Sequence, residues 1–295
     1  MAIGSLGTWV LAARPKTLTA AVAPVLVGTG LAAHDGRIAA LPALAALLGA
    51  ILIQIATNLA NDYYDFVRGG DTRDRIGPVR VTQAGLIAPE AVRRGMIVVL
   101  VAALIPGAYL VSVGGWPILA IGLASLACAV LYTGGPYPLA YHGLGDVFVF
   151  VFFGLVAVGG TYWVQALAWP VGAVLAGAGL GALSTALLVV NNLRDITTDA
   201  AAGKRTLAVR LGPAGTKAEY GILLVVAAVV PPVGVAALGW PASALAALLV
   251  APLCRAPARA VVTHVDPREL LPALGATARV VALYGALLAA GLAFG

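Results

Sequence analysis

The sequence predicts an all-α transmembrane fold, and three observations carry that prediction. Only 10% of the 295 residues are charged, against about 25% in a soluble domain. Apolar residues make up 61% of the chain, and the mean hydropathy is +0.98, which excludes a large water-facing surface. Apolar runs of roughly 17–25 residues then recur along the whole chain, the length that carries a helix across a bilayer core of about 30 Å.

Nine such runs are expected. Their limits fall at about residues 17–34, 41–66, 91–112, 116–133, 145–165, 170–192, 218–238, 241–254 and 272–294. The eighth is the short one, tilted or partly interfacial. No positively charged leader with an apolar core and cleavage site precedes Arg14, so no signal peptide is expected. Without a long linker or low-complexity stretch, residues 1–295 read as a single integral-membrane domain.

Charge orients the spans. With the N-terminus in the cytoplasm, all but Arg37 of the 18 basic residues fall on the inner side, as the positive-inside rule requires. An odd number of crossings then leaves the C-terminus outside. This is a multi-pass protein of the cell membrane, and its net charge of +6 faces anionic lipid rather than nucleic acid. Cys128 and Cys254 lie in apolar spans as small core residues. His34, His142 and His264 are scattered near span ends, without metal-ligand spacing.

The acids are more informative. All but Asp35 of the 12 lie on the inner side, and they cluster. The second span ends in Asn58-Leu-Ala-Asn61-Asp62-Tyr-Tyr-Asp65, where Asn58, Asp62 and Asp65 share one helical face and Asn61 adjoins it. The sixth ends in Asn191-Asn192-Leu-Arg194-Asp195-Ile-Thr-Thr-Asp199, with Asn192, Asp195 and Asp199 similarly spaced. Glycine and bases follow both: Arg68-Gly-Gly, and Gly203-Lys204-Arg205. The recurrence suggests two halves facing each other across a cavity.

Carboxylates at a membrane boundary are costly unless cations neutralise them. Asp62, Asp65, Asp195 and Asp199 are oxygen ligands suited to Mg²⁺, which prefers to bridge carboxylate to phosphate. Arg68, Arg75, Arg80, Lys204 and Arg205 would contact the phosphates directly. Solvated helix ends with loop salt bridges explain a single Asp, but two matching stripes point to a metal–diphosphate site. The polar loop over residues 69–82 reads as a lid above it. Asp146, at the start of the fifth span, suits helix-dipole compensation and catalysis equally well.

Asn61-Asp62-x-x-Asp65 with Asp195-x-x-x-Asp199 resembles the two aspartate motifs of the UbiA superfamily of intramembrane aromatic prenyltransferases, over nearly the whole chain. Three segments look like its 1,4-dihydroxy-2-naphthoate polyprenyltransferase branch, in menaquinone synthesis: Ala13-Arg14-Pro15-Lys16-Thr17-Leu18 with Pro24 and Gly28; Asp71-Thr72 through Gly77-Pro78-Val-Arg80; and Asn192-Leu-Arg194-Asp195 through Lys204-Arg205-Thr206. Two departures stand out. Gly69 occupies a position where the superfamily often has a further Asp, which leaves a metal role for Asp71 or Asn61 open. Tyr137-Pro138-Leu-Ala-Tyr141-His142 stands where relatives continue to a lysine, so no catalytic lysine is assigned there.

The resemblance implies a nine-helix bundle around a central cavity, open to the cytoplasmic side and laterally to lipid. It implies Mg²⁺ held by Asp62, Asp65, Asp195 and Asp199, and a polyprenyl diphosphate bound by Asn58, Asn61, Arg68, Arg75, Arg80, Asn192, Lys204 and Arg205. The acceptor would be an aromatic acid, with Arg14, Lys16, Tyr132 and Tyr137 beside it. The metal and Lys204 with Arg205 would stabilise the departing diphosphate. Tyr63, Tyr64, Tyr132, Tyr137 and Phe150 are candidates to face the allylic cation, with interfacial anchoring the alternative. 4-Hydroxybenzoate and homogentisate are the competing acceptors. A cation-coupled transporter would hold its acids near the midplane, and a CDP-alcohol phosphotransferase would need an aspartate arrangement this chain lacks.

Overall fold

The computed structural model describes residues 5–70 and 76–295, which leaves Asp71 and Arg75 outside the described residues. The chain runs as α1 (Leu6–Ala13), α2 (Pro15–His34), α3 (Ala40–Val67), α4 (Pro89–Gly114), α5 (Trp116–Leu131), α6 (Gly145–Ala166), α7 (Val171–Arg194), α8 (Ile196–Ala201), α9 (Leu207–Ala237), α10 (Ala242–Thr263) and α11 (Pro267–Ala293). Among the described residues eight of these are long and apolar enough to cross a membrane: α2, α3, α4, α6, α7, α9, α10 and α11.

The short apolar helix is α5, with 16 residues, and not α10 as the sequence suggested. At about 1.5 Å per residue α5 falls short of a bilayer core of about 30 Å. The apolar run of α10 ends near Cys254, but its helix continues through Arg255 and Arg259 to Thr263. Its first half, Ala242–Val250, is wound as a 3₁₀ helix, which rises faster per residue. Helix α1 was not foreseen either. Ser5 caps it, accepting a hydrogen bond from the Thr8 amide, and it exposes Leu6, Val10 and Leu11.

Helix α7 is the centre of the bundle. Its most apolar window is 72% buried inside the protein, against 17% for α3 and for α4. Lipid cannot drive helices together, so close backbone approach does. A Cβ on Gly30 of α2 would stand 2.4 Å from the Ala289 carbonyl oxygen of α11. On Gly154 of α6 it would stand 2.4 Å from the Gly177 carbonyl oxygen of α7, and on Gly181 it would stand 2.6 Å from the Phe150 carbonyl oxygen. Helix α6 also contains a π-helical segment, Val151–Val156.

Away from the aspartates, Tyr162 donates to Asp35 at 2.5 Å and ties the end of α2 to α6. The packed helices enclose a cavity of about 1210 Å³, lined by residues of α1 through α7, α11 and the loops between them. Both aspartate clusters end helices, α3 and α7, that reach its rim.

Candidate active site

The C-terminal ends of α3 and α7 meet at a small polar pocket of about 30 Å³, lined by Asp65, Gly70, Arg80, Asn191, Asp195, Thr198, Asp199 and Lys204. Residues 130 positions apart therefore share one wall. Lys204 joins the two clusters, its Nζ 3.9 Å from Asp65 Oδ1 and 3.7 Å from Asp199 Oδ1. Asp65, Arg80, Asn191 and Lys204 also line the large cavity, so the polar pocket opens onto the apolar one. That is the shape a ligand with a charged head and an oily tail requires.

Each carboxylate has a distinct setting. Asp65 accepts from Arg80 Nη2 at 3.0 Å and from the Tyr141 hydroxyl at 3.1 Å, and is buried. Asp195 is clamped by its neighbour: Arg194 donates through Nε at 2.8 Å to Oδ1 and through Nη2 at 2.5 Å to Oδ2. Arg194 itself is 2% exposed and also reaches Asn191 Oδ1 at 2.8 Å. Asp62 faces away from the pocket. Its two oxygens accept the backbone N–H groups of Val81 and Thr82 at 3.0 and 2.9 Å, with Arg14 Nη2 4.0 Å away. It thereby anchors the loop that delivers Arg80.

The amides divide similarly. Asn58 donates to the Ala13 carbonyl at 2.8 Å and to the Thr17 hydroxyl at 2.9 Å, and so holds the α1–α2 corner against α3. Asn61 accepts from Thr133 at 3.0 Å. Both, with Asn192, line the large cavity. Arg14, Lys16 and Tyr132 line it too, and Arg14 takes a left-handed backbone, φ 51°, at the α1–α2 corner.

Other expected site residues lie elsewhere. Tyr137, ahead of the 3₁₀ turn Leu139–His142, is exposed and stacked on His142 with ring centroids 3.5 Å apart. Arg205 is exposed and lines neither pocket; its backbone N–H donates to the Tyr141 carbonyl at 3.0 Å. Arg68 sits at the exposed rim, hydrogen-bonded to the Gly135 carbonyl. Of the five aromatic candidates only Tyr132 lines the cavity. Tyr63 and Tyr64 pack edge to face, 5.0 Å apart, beside the Leu59–Met96 cluster, and Phe150 packs into the main core.

Sequence reading passed over Tyr141. Its hydroxyl bonds Asp65, while Lys204 and Arg68 lie 5.1 and 5.7 Å from its ring centroid. It lies four positions after Tyr137, one turn's reach, so the outward and inward tyrosines of that segment could be told apart only in space. Phe152 and Phe153 were also missed; both line the cavity.

The donors suit a hard cation. At the pocket Asp65, Asp195 and Asp199 stand within ion-pair distance of Arg80, Arg194 and Lys204, and Asp62, turned away from it, stands at that distance from Arg14. Among the described residues no three acidic or imidazole groups converge as a ready-made metal cage. Mg²⁺ needs none, since it takes one or two carboxylates and completes its shell with phosphate and water. Among the described residues acids and bases balance there, so a diphosphate arriving alone would leave the pocket strongly negative, whereas one arriving with divalent cations keeps the balance.

The chain matches the UbiA prenyltransferase family over residues 21–277. It is 42% identical over 293 residues to the 1,4-dihydroxy-2-naphthoate octaprenyltransferase of Mycobacterium tuberculosis, covering 99% of each chain. Its fold is similar to the apo structure of a UbiA homolog from Aeropyrum pernix K1, with a TM-score of 0.69 at 17% identity over 91% of this chain and 96% of that one. It is also similar to a UbiA homolog from Archaeoglobus fulgidus bound to DMAPP and Mg²⁺, with a TM-score of 0.63 at 14% identity over 95% and 98% of the two chains.

Proposed function

Because this chain belongs to the UbiA prenyltransferase family, we propose that it transfers a polyprenyl group from an allylic diphosphate to 1,4-dihydroxy-2-naphthoate, releasing CO₂ and diphosphate and giving demethylmenaquinol. The end-to-end identity with a naphthoate octaprenyltransferase carries this reading. The joined polar and apolar pockets support it.

The diphosphate seats in the polar pocket, and the isoprenoid tail lies along the apolar cavity and leaves toward lipid. The pocket holds room for about one water, so the ligand enters only as Lys204 exchanges its carboxylates for phosphate oxygens. Asp65, Asp195 and Asp199 are the carboxylates that would hold Mg²⁺, with Asp62 behind them and Asn61 at the cavity edge. Bound Mg²⁺ would supply Lewis-acid stabilisation of the leaving diphosphate. Lys204 and Arg80 then face the oxygens on which negative charge grows, in a site already preorganised by Asp65 and Tyr141. Arg194 holds Asp195 in one orientation. Tyr132, Phe152 and Phe153 wall the cavity where the allylic cation forms, away from water. The acceptor's carboxylate lies toward Arg14 and Lys16.

Dihydroxynaphthoate is attacked at the carbon bearing its carboxylate, which regains aromaticity by losing CO₂. Enzyme supplied with Mg²⁺, polyprenyl diphosphate and carboxyl-labelled acceptor is expected to release one labelled CO₂ per diphosphate, read by mass spectrometry. Retention of the label on the prenylated ring, or consumption of 4-hydroxybenzoate or homogentisate alone, would reassign the acceptor.

Orientation is a separate part of the proposal: a multi-pass protein of the cell membrane, α5 counted as a ninth crossing, with the aspartate end cytoplasmic and Gly295 outside. Ile38 and Ala202 are both exposed, at opposite ends of the bundle. In a background with Cys128 and Cys254 replaced by alanine, Ile38→Cys should react with an impermeant thiol reagent added to intact cells, and Ala202→Cys should not. The reverse pattern would invert the protein.

A further inference from the structure

Asp146 and Ser184 have no part in the diphosphate site, yet both are buried in the wall of the large cavity. Asp146 is 5% exposed and Ser184 3%, and both line that cavity. Neither Asp146 Oδ2 nor Ser184 Oγ has a hydrogen-bond partner among the described residues. Buried polar atoms are nearly always paired, so two orphaned ones on one wall mark a place for a ligand.

Their positions are rigidly set. Asp146 opens α6 and Ser184 lies in the core of α7. Thr185, next to Ser184, donates to the Asp146 carbonyl at 3.4 Å. The same two helices are locked by backbone contact, a Cβ on Gly154 meeting the Gly177 carbonyl oxygen and one on Gly181 meeting the Phe150 carbonyl oxygen. The π-helical segment Val151–Val156 follows within a turn or two, and such segments recur at functional sites.

The chemistry selects the ligand. A carboxylate repels diphosphate, and Asp146 is absent from the small pocket's wall. It suits a hydrogen-bond donor of weak acidity, as an aromatic hydroxyl is. With Oδ2 unpartnered among the described residues, the Asp146 carboxylate can accept that hydroxyl's hydrogen bond and then its proton. Arg14 and Lys16 line the same cavity and supply the opposite charge for the acceptor's carboxylate. The hydroxyl and the neighbouring carboxylate of the ring thereby each meet a group suited to them.

We propose that Asp146 and Ser184 form the seat of the acceptor's ring hydroxyl, and that Asp146 takes and returns its proton during prenyl transfer. The proposal rests on the prenyl-transfer reading above. The allylic carbon–oxygen bond breaks and its electron pair leaves on diphosphate. The ring carbon bearing the carboxylate bonds to the allylic carbon, while the adjoining hydroxyl becomes a carbonyl and passes its proton to Asp146. The bond to the carboxylate then breaks, CO₂ departs, and its electron pair rebuilds the aromatic ring. Asp146 returns the proton to the ring oxygen. Protons and charge balance without an outside acid or base.

The test compares wild type, Asp146→Asn, Asp146→Glu and Ser184→Ala, purified in lipid nanodiscs. It reads kcat and KM for dihydroxynaphthoate, and binding of a non-ionisable thiolo analogue of the prenyl diphosphate with Mg²⁺. Asp146→Asn is expected to lower kcat about 100-fold while binding of the analogue is unchanged, with partial recovery in Asp146→Glu. Ser184→Ala, a small change, is expected to raise the acceptor KM about tenfold with kcat and analogue binding preserved. Wild-type turnover with an unimpaired Asp146→Asn overturns the proposal alone. So does a Ser184→Ala variant with unaltered KM when Asp146→Asn fails to fold. Absence of naphthoate turnover in the wild type overturns the functional reading, and the proposal with it.

Discussion

Asp65→Asn and Asp199→Asn should each remove most prenyl transfer, by about 100-fold or more, while the protein still inserts, and EDTA should silence the unaltered enzyme. Asp65 is the most connected carboxylate in the pocket, shared by Arg80, Tyr141 and Lys204. An amide there leaves the Arg80 guanidinium buried beside a neutral group and releases Lys204 from one of its two tethers. Breaking a buried ion pair on one side costs about 3–5 kcal/mol, and the same carboxylate would be lost to the metal. Asp199 is the other tether of Lys204, at 3.7 Å. Asp195→Asn should behave similarly, because it frees the buried Arg194. Asp62→Asn acts through the loop as well, since an amide nitrogen would be set against one of the two backbone N–H groups that the carboxylate now accepts. Turnover and Mg²⁺-dependent binding of a thiolo analogue, measured on monodisperse protein, separate these effects. Near-normal turnover in EDTA, or in the Asp62→Asn and Asp195→Asn variants together, would refute the metal–diphosphate reading.

Gly154→Val is expected to prevent stable assembly of the bundle. A Cβ at Gly154 would lie 2.4 Å from the Gly177 carbonyl oxygen and 2.6 Å from the Gly181 Cα. Both obstacles are backbone, which cannot swing aside as a side chain can. Overpacking in a core costs about 1–3 kcal/mol, occasionally more, and this interface carries the central helix. The variant should lose its monodisperse peak in size-exclusion chromatography and unfold at a lower temperature. Gly221→Val is the matched control, because nothing lies within 4 Å of a Cβ there. Equal behaviour of the two variants would show that the α6–α7 contact is not the constraint it is taken to be.

The two aspartate stripes were legible in the chain because helical spacing puts their members on one face and because acids are scarce in so apolar a sequence. Lys204 was legible for the same reason, as a base in the loop beside the second stripe. The direction of Tyr137 and Tyr141 was not legible. Tyr137 lies between two prolines ahead of the 3₁₀ turn and Tyr141 lies within it, and only the packing of that turn against Asp65 and Lys204 decides which of them faces the pocket. The role of Asp62 was hidden as well, since its partners are backbone amides about 20 residues on, which leave no mark in side-chain pattern.

Span lengths were misjudged where hydropathy and helix part company. Helix α10 continues past Cys254 with arginines among its residues, and α9 begins at Leu207, ahead of the apolar run expected from 218, with Arg210 and Lys217 in its first turns.

The sequence by itself determined that this chain is helical, lies in a membrane, and gathers its acids and bases at the same ends of two helices. Those properties are set by local periodicity and by the transfer cost of charge into hydrocarbon, both of which act on each segment alone. Tertiary structure decided the rest: which cation pairs with which carboxylate, that Lys204 bridges the two clusters, and that Asp146 and Ser184 share one cavity wall. The reason is geometric. Ion pairs and cavities form between segments far apart in the chain, and their partners are chosen by helix packing, which here turns on glycine-to-backbone contacts too close for any other residue.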